Sequence, residues 1–436
     1  AAAVPAVRRA PWLALPALLV LMQPEGGGTL SQALGVLSCL GVLLFALGAL
    51  AWSPAPGRGR FAAAVACGFL APSALINGLM LFPVAVGRLA ALRRWRRAAI
   101  LAGAGAACWA AYFFGYGYHV APFSFSVCLA NACVMAGSLV AFGRMPLAAV
   151  GAVGAAVAAG AALLLLNRRA WRAAPTACAY LAFLLLSIGV CARGRIDRGP
   201  AYMIQDRYRL YSVLTVAVAY LLLVELLPEA RRRSWALLGT AAGLGLAAAS
   251  YVITLPDLAT ACLWSEATAI DHQLGTEFPL VDTNGWAEAA EGLRRAGQLG
   301  IYQLPRPLNP AALALLSRLA PPPAGGPVFH ADANGGVTGY LLGCDAPGRE
   351  PAAANFAALR SASGWIVLPR QILRAPAGQL LRRRSIYAGR TLYILPQSVA
   401  EPGRHALCGL ELHADGSWSI AWTGTAEVPS GSAALP

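Results

Sequence analysis

Lysine is absent: all 34 basic residues of this 436-residue chain are arginine. That removes Schiff-base lysine chemistry and the lysine of a Walker phosphate loop. Charge of either sign is scarce, at 12% of residues, where an ordinary soluble domain carries roughly 25%. Motif scanning is equally negative, with no Walker A loop, no Gly-rich dinucleotide fingerprint, no HExxH and no paired CxxC. Five histidines are scattered, and His405, Cys408 and His413 are spaced too loosely for a zinc site. No metal and no cofactor is expected.

Apolar residues are abundant, at 58% with a mean hydropathy of +0.59, and they are unevenly placed. Residues 1–255 carry long apolar runs separated by short arginine clusters, and the last 181 residues carry none. About 20 consecutive apolar residues span the ~30 Å hydrocarbon core as a helix that satisfies its own backbone. The fold class expected is therefore an α-helical polytopic membrane domain of about eight or nine spans over 1–255. A helical connector over 256–327 and a soluble β-rich domain over 328–436 follow, the latter a small antiparallel sandwich. Candidate spans fall near 10–22, 30–52, 61–87, 98–114, 123–143, 146–166, 174–192, 210–227 and 236–254. The chain begins at Ala1 with a first run below spanning length, which reads as a fragment that has lost upstream membrane helices.

The charge follows the same partition. Residues 1–255 hold 21 basic and 5 acidic side chains, a net +16, and residues 256–436 hold 13 and 14, a net −1. A basic excess confined to membrane loops points to topology and anionic headgroups rather than to nucleic acid. Membrane lipid is the expected partner, no nucleic acid is, and the oligomeric state is unreadable. Arg88 to Arg97 mark the strongest cytoplasmic loop. Strict alternation from there puts Arg168–Arg172 and Arg231–Arg233 outside and the C-terminal domain inside, against the positive-inside rule. An odd number of crossings over 123–166, for example with a re-entrant piece, turns both clusters cytoplasmic and the C-terminal domain outward. Asn77 and Gly78, preceded by Pro72 and Ser73, interrupt the third span. They read as a kink beside a cavity or as an internally hydrogen-bonded Asn.

One loop has chemical character. Between Cys191 and Leu210 stand Arg193, Arg195, Arg198, Arg207 and Arg209 with Asp197, Asp206, Tyr202 and Tyr208. Guanidinium forks match phosphate oxygens, and an aspartate among them could serve as a base or a metal ligand. This set suits the diphosphate of a polyprenyl-linked sugar or a phospholipid headgroup. Arg195, Arg198, Tyr202, Arg207 and Arg209 would bind it, with Asp206 as the catalytic group. Tyr202, Asp206 and Arg209 fall at i, i+4 and i+7, the spacing of one helical face. The competing reading is that Arg and Tyr at a membrane boundary snorkel and anchor, with each Asp neutralising a neighbour.

In the C-terminal part, 263–303 reads as helical, Asn309–Pro310 opens a second helix to Leu319, and Pro321–Pro327 reads as a linker. Alternating runs at 336–342, 364–368, 391–395 and 417–422 then suggest strands. Trp418 and Trp422 share one strand face by spacing, for core packing or for sugar stacking. Cys344 and Cys408 form the disulfide to expect if this domain is extracytoplasmic.

The order of elements resembles a group of large bacterial inner-membrane proteins, some labelled as membrane glycosyltransferases of the multi-span GT-C kind. The likeness rests on Asn77-Gly78-Leu79 before an arginine-rich loop, Tyr112-Phe113-Phe114-Gly115-Tyr116 with His119 and Pro122, and Gly194-Arg195 with Asp206-Arg207-Tyr208-Arg209-Leu210-Tyr211-Ser212. Gly300-Ile301-Tyr302 ahead of a β-rich tail adds to it. The resemblance implies an inner-membrane protein of the cell envelope that handles polyprenyl-phosphate-linked sugars in surface glycan assembly, with the C-terminal domain periplasmic. The acidic pair such enzymes carry in an early extracytoplasmic loop has no counterpart here. A non-catalytic transporter or scaffold partner with an extracytoplasmic interaction domain is the other expectation.

Overall fold

The computed structural model describes residues 4–22, 39–114, 122–142, 145–274, 295, 327–333, 339–344, 354–361, 364–371, 392–396, 402–413 and 418–429. The chain forms two units, Ala1–Thr254 and Leu255–Pro436.

Unit 1 is helical. Its described helices are α1 (Pro5–Arg9), α2 (Leu15–Leu21), α3 (Gly41–Trp52), α4 (Arg58–Ala74), α5 (Leu81–Ala91), α6 (Trp95–Phe113), α7 (Phe125–Gly137), α8 (Leu147–Leu166), α9 (Arg168–Ala173), α10 (Pro175–Gly194) and α11 (Asp206–Leu226). Helix α12 (Glu229–Leu274) begins in unit 1 and ends in unit 2. Among the described residues four segments are long and apolar enough to cross a bilayer: Leu147–Leu166, Pro175–Gly194, Arg207–Leu226 and Glu229–Pro256. Only 17% of the Leu147–Leu166 window is buried within the protein, and Leu163 and Leu166 stand exposed on it. A helix this apolar and this bare is suited to a lipid surrounding, because its backbone is satisfied internally and its side chains present a long apolar surface.

These four match the last four of the nine runs expected, so the count of eight or nine spans is not reached among the described residues, and two of the other runs take a different form. The run 61–87 folds back on itself instead of passing through as one helix. Helix α4 ends at Ala74, Leu75 is extended, a 3-10 turn covers Ile76–Met80, and α5 returns. A Cβ on Gly68 would stand 3.3 Å from the Phe82 ring, whereas fourteen residues of straight helix would part the two by roughly 21 Å. Gly78 makes the reversal possible, since a Cβ there would run into the Ala71–Pro72 backbone. Asn77, fully buried in the turn, donates to the Tyr211 hydroxyl at 2.5 Å, which fits the internally bonded reading of that residue.

The run 123–143 is shorter than a span. Helix α7 has 13 residues and both its ends meet the same end of the α10–α11 pair. Phe123, just before it, lies under Arg193; Asn131 donates to the Ala192 and Arg195 carbonyls; Ser212 donates to Ala136 and accepts from the Leu139 amide. α7 therefore lies across the ends of α10 and α11. It crosses α8 at Gly137 and Gly154, where the backbones touch so closely that a Cβ on either glycine would overlap the other helix's carbonyl.

The connecting turns gather on one face. Arg97 donates to the carbonyls of Ser53 and Ala55, Arg94 to Pro54, and Arg97 also lies 5.0 Å over Phe61, so the α5–α6 turn straps the α3–α4 turn. Arg88 links these to the start of α10 through Leu50 O (2.5 Å) and Thr176 Oγ1 (2.9 Å). One apolar cluster joins α1, the end of α8, α9, the start of α10, the end of α11 and Ala236 of α12. There Glu225 accepts from the Ala6 amide and Arg232 donates to the Glu225 carbonyl. Helix α12 then runs toward the other face, with Gly239 and Gly243 against Pro16 and Leu19 and Leu246 beside Val20, Leu139 and Val213.

Among the described residues of unit 2 seven strands close a barrel in the order β1-β2-β5-β4-β3-β6-β7. The strands are β1 (Val328–Ala333), β2 (Gly339–Cys344), β3 (Phe356–Ser361), β4 (Gly364–Gln371), β5 (Leu392–Pro396), β6 (Gly403–Leu412) and β7 (Trp418–Val428). The sandwich expected from alternation gives way to this barrel because β1 pairs in parallel with β7, Val328 opposite Thr425, which removes both free edges. Phe329, Leu342, Leu359, Leu368, Tyr393 and Leu395 fill the interior. The opposite face of β3, β4 and β6 is covered by Ala267 and Ile270 of α12, and Asp271 accepts from the Val367 amide at 2.7 Å.

Two sequence expectations fail here for one reason each. Trp418 and Trp422 do not share a face: β6 and β7 slip register where Gly409 faces Trp422 but Leu410 faces Ile420. One extra residue inverts the alternation. Trp422 stacks on Phe329 in the interior at 4.9 Å, and Trp418 packs on Phe356 outside. Cys344 and Cys408 are separate thiols, the first in the interior cluster and the second in the outer one. Of the expected helical segment 263–303, the part to Leu274 belongs to α12, and apart from Arg295 the rest lies outside the described residues. The helix from Asn309 and the linker before Pro327 lie outside them too.

Candidate functional site

The loop between α10 and α11 starts where α10 reaches Gly194. Gly199, with φ 73°, takes the left-handed conformation that a side chain resists, and the chain reverses into a 3-10 turn over Pro200–Ile204. Gln205 is extended, and α11 begins at Asp206. The break at Gln205 undoes the single helical face expected for Tyr202, Asp206 and Arg209. Asp206 supplies the first residue of α11; its side chain lies outside the described residues.

Tyr202 organises the site. The guanidinium carbons of Arg207, Arg195 and Arg198 lie 5.5, 5.7 and 6.0 Å from the centre of its ring, and Arg207 also donates to its hydroxyl. Tyr208, buried in the first turn of α11, holds the arrangement from below. Its ring lies 5.2 Å under Arg207 and its side chain hydrogen-bonds Arg195. Burial tends to lower the Arg195 pKa, but the Tyr208 bond and the nearby Tyr202 and Asp197 oxygens outweigh it and raise the value. The cation is permanent.

Arg209 is placed differently from the other three. It donates to the carbonyls of Ile204 at 3.2 Å and Ala141 at 2.7 Å, pinning the loop to the segment after α7. Asn131 does the same from the other side through the Arg195 carbonyl. Of the five residues read as ligand-binding, four thus converge and Arg209 supports them. Tyr208 and Asn131 were not singled out from sequence. Asn131 carried a usable signal, a lone amide within an apolar run, and Tyr208 carried none beyond its place in the loop.

Three exposed cations around one ring repel one another. Cation–π attraction returns only ~0.5–1 kcal/mol for each at an exposed site. Asp197, 3.5 Å from Arg198, is the one carboxylate that the ion pairs among the described residues bring to the cluster. The surplus of fork-shaped donors suits an anion with several oxygens. Among the described residues no three His, Cys, Asp or Glu side chains converge as a metal site.

Comparisons of the chain with protein-family models, curated proteins and solved structures return no match. The reading of the loop rests on its own geometry.

Proposed function

We propose that this is an integral membrane protein of the bacterial cell envelope whose α10–α11 loop binds the phosphate or diphosphate of a polyprenyl-linked sugar during surface glycan assembly. The observation that carries the reading is the convergence of Arg195, Arg198 and Arg207 on Tyr202 beside a single described carboxylate. An anchoring role would scatter arginines toward headgroups; here they share one ring and are held there by Tyr208, Asn131 and Arg209. Phosphate oxygens accept from two or three such forks at once, and each charge-assisted bond is roughly twice as strong as a neutral one. The barrel of unit 2 belongs to the same reading as a periplasmic module beyond an inner-membrane domain. Asp206, at the start of α11, is the base this reading offers for sugar transfer.

The test is isotope transfer from polyprenyl-phosphate sugars by full-length protein in detergent, with Arg195→Gln, Arg207→Gln and Asp206→Asn alongside. Turnover lost in all three supports an enzyme. Binding that depends on the two arginines without any turnover supports the non-catalytic transporter or scaffold reading. Binding indifferent to both arginines removes the phosphate site.

A further inference from the structure

The faces of unit 1 separate its arginines by location. The turns bearing Arg58 and Arg60, Arg93 to Arg97, Arg168 to Arg172 and Arg231 to Arg233 are tied to one face by the Arg97, Arg88 and Glu225 contacts and by the cluster around α1, α9 and α10. This holds because 61–87 leaves and returns to that face, and because α7 stays at the opposite one while α8 alone carries the chain back. The Arg193–Arg209 loop is at that opposite face, at the other ends of α10 and α11.

Positive charge is selected onto the cytoplasmic side of short membrane loops. The face with four arginine-bearing turns satisfies that rule, and the five arginines of the α10–α11 loop run against it. Charge kept where insertion disfavours it has another use. Beside the loop, Phe123 and Phe125 are 64% and 69% exposed, with Arg193 5.6 Å over the Phe123 ring. An exposed apolar surface thus adjoins the cations.

We propose that the four arginine-bearing turns face the cytoplasm and that Arg195, Arg198 and Arg207 take the terminal, anionic phosphate of a lipid, a group that phosphatidylcholine lacks, from the opposite, extracytoplasmic leaflet, its chain lying along the Phe123–Phe125 surface. The ligand half of this statement rests on the phosphate reading above; the assignment of faces does not. A lipid made with its phosphate in the cytoplasmic leaflet must cross the bilayer first, so a transbilayer translocation has to supply this site.

Two measurements on the full chain separate the halves. In a Cys262→Ser background, Gly59→Cys and Ala201→Cys place one exposed thiol on each face. A membrane-impermeant maleimide applied to intact cells labels Ala201→Cys at once and Gly59→Cys only after permeabilisation; the reverse pattern overturns the assignment of faces. Purified protein is then titrated with phosphatidylcholine vesicles containing or lacking a polyprenyl monophosphate, and with inorganic phosphate alone. Retention by the doped vesicles, weakened about tenfold or more by Arg195→Gln with Arg207→Gln and by Phe123→Ser, is expected. Equal retention by undoped vesicles, indifference to the arginine pair, or full competition by inorganic phosphate with no effect of Phe123→Ser overturns the lipid ligand while leaving the faces standing. Retention of fold in each variant is checked by its thermal midpoint, and Arg198→Gln, at an exposed position, replaces any arginine variant that fails it.

Discussion

The crossing of α7 and α8 is the joint on which the loop's position depends, and alanine at Gly154 tests it. Ordinary contact for a Cβ begins at 3.4 Å, and one on Gly154 would fall well inside that distance from the Cys133 carbonyl oxygen. The helices would have to part by roughly 1–2 Å, and overpacking of this kind costs ~1–3 kcal/mol. Gly160 lies on the same helix, and nothing stands within 4 Å of a Cβ there. Gly160→Ala should therefore be neutral or stabilise by up to ~1 kcal/mol through backbone entropy and helix propensity. The same chemical change six residues away is expected to have the opposite sign. Thermal unfolding of both variants in one detergent, followed by tryptophan fluorescence, gives the comparison. Gly137→Ala should resemble Gly154→Ala, and the double variant should cost less than the sum because one displacement relieves both overlaps. The damage should also reach the site, since α7 and the residues after it hold Ser212 and Arg209 through the carbonyls of Ala136 and Ala141. Faster hydrogen exchange at 195–209 is its signature. Equal shifts for Gly154→Ala and Gly160→Ala would refute the close crossing.

Arg88 is 8% exposed and bridges Leu50 and Thr176. Arg88→Met should cost ~2–4 kcal/mol by leaving a carbonyl and a hydroxyl without their donor, and Arg88→Lys, lacking the fork, should recover only part of the thermal midpoint. Burial pushes the Cys408 thiol up to about 12 from 9.0, so the fold favours its neutral form. Unit 2 keeps this contribution below about pH 9 and loses ~1.4 kcal/mol per pH unit above it until the folded pKa is reached, with exchange in β3 and β6 as the readout. Native alkylation at pH 8 should modify exposed Cys262 and spare buried Cys344 and Cys408 until the barrel unfolds; prompt reaction at Cys408 would contradict its place under α12.

The α10–α11 loop was legible as a concentration of arginine, tyrosine and aspartate between two apolar runs, and three of its arginines and Tyr202 do converge. Its internal geometry was not legible. Helical spacing grouped Tyr202 with Asp206 and Arg209, yet one extended residue, Gln205, divides the segment, and Arg209 turns to a carbonyl contributed from 68 positions away. Trp418 and Trp422 show the same limit, since a single extra residue in β7 reverses a face that spacing alone assigns.

Apolar run length by itself placed the helices long and apolar enough to cross a bilayer within the first 256 residues, because the transfer energy of a 20-residue segment is a local property of composition. Only tertiary structure decided that 61–87 returns to the face it left, that α7 lies across rather than through, and that the strands close into a barrel. Those outcomes depend on backbone approaches at Gly78, Gly137 and Gly154 and on the β1–β7 pairing, between residues that hydropathy cannot relate to one another.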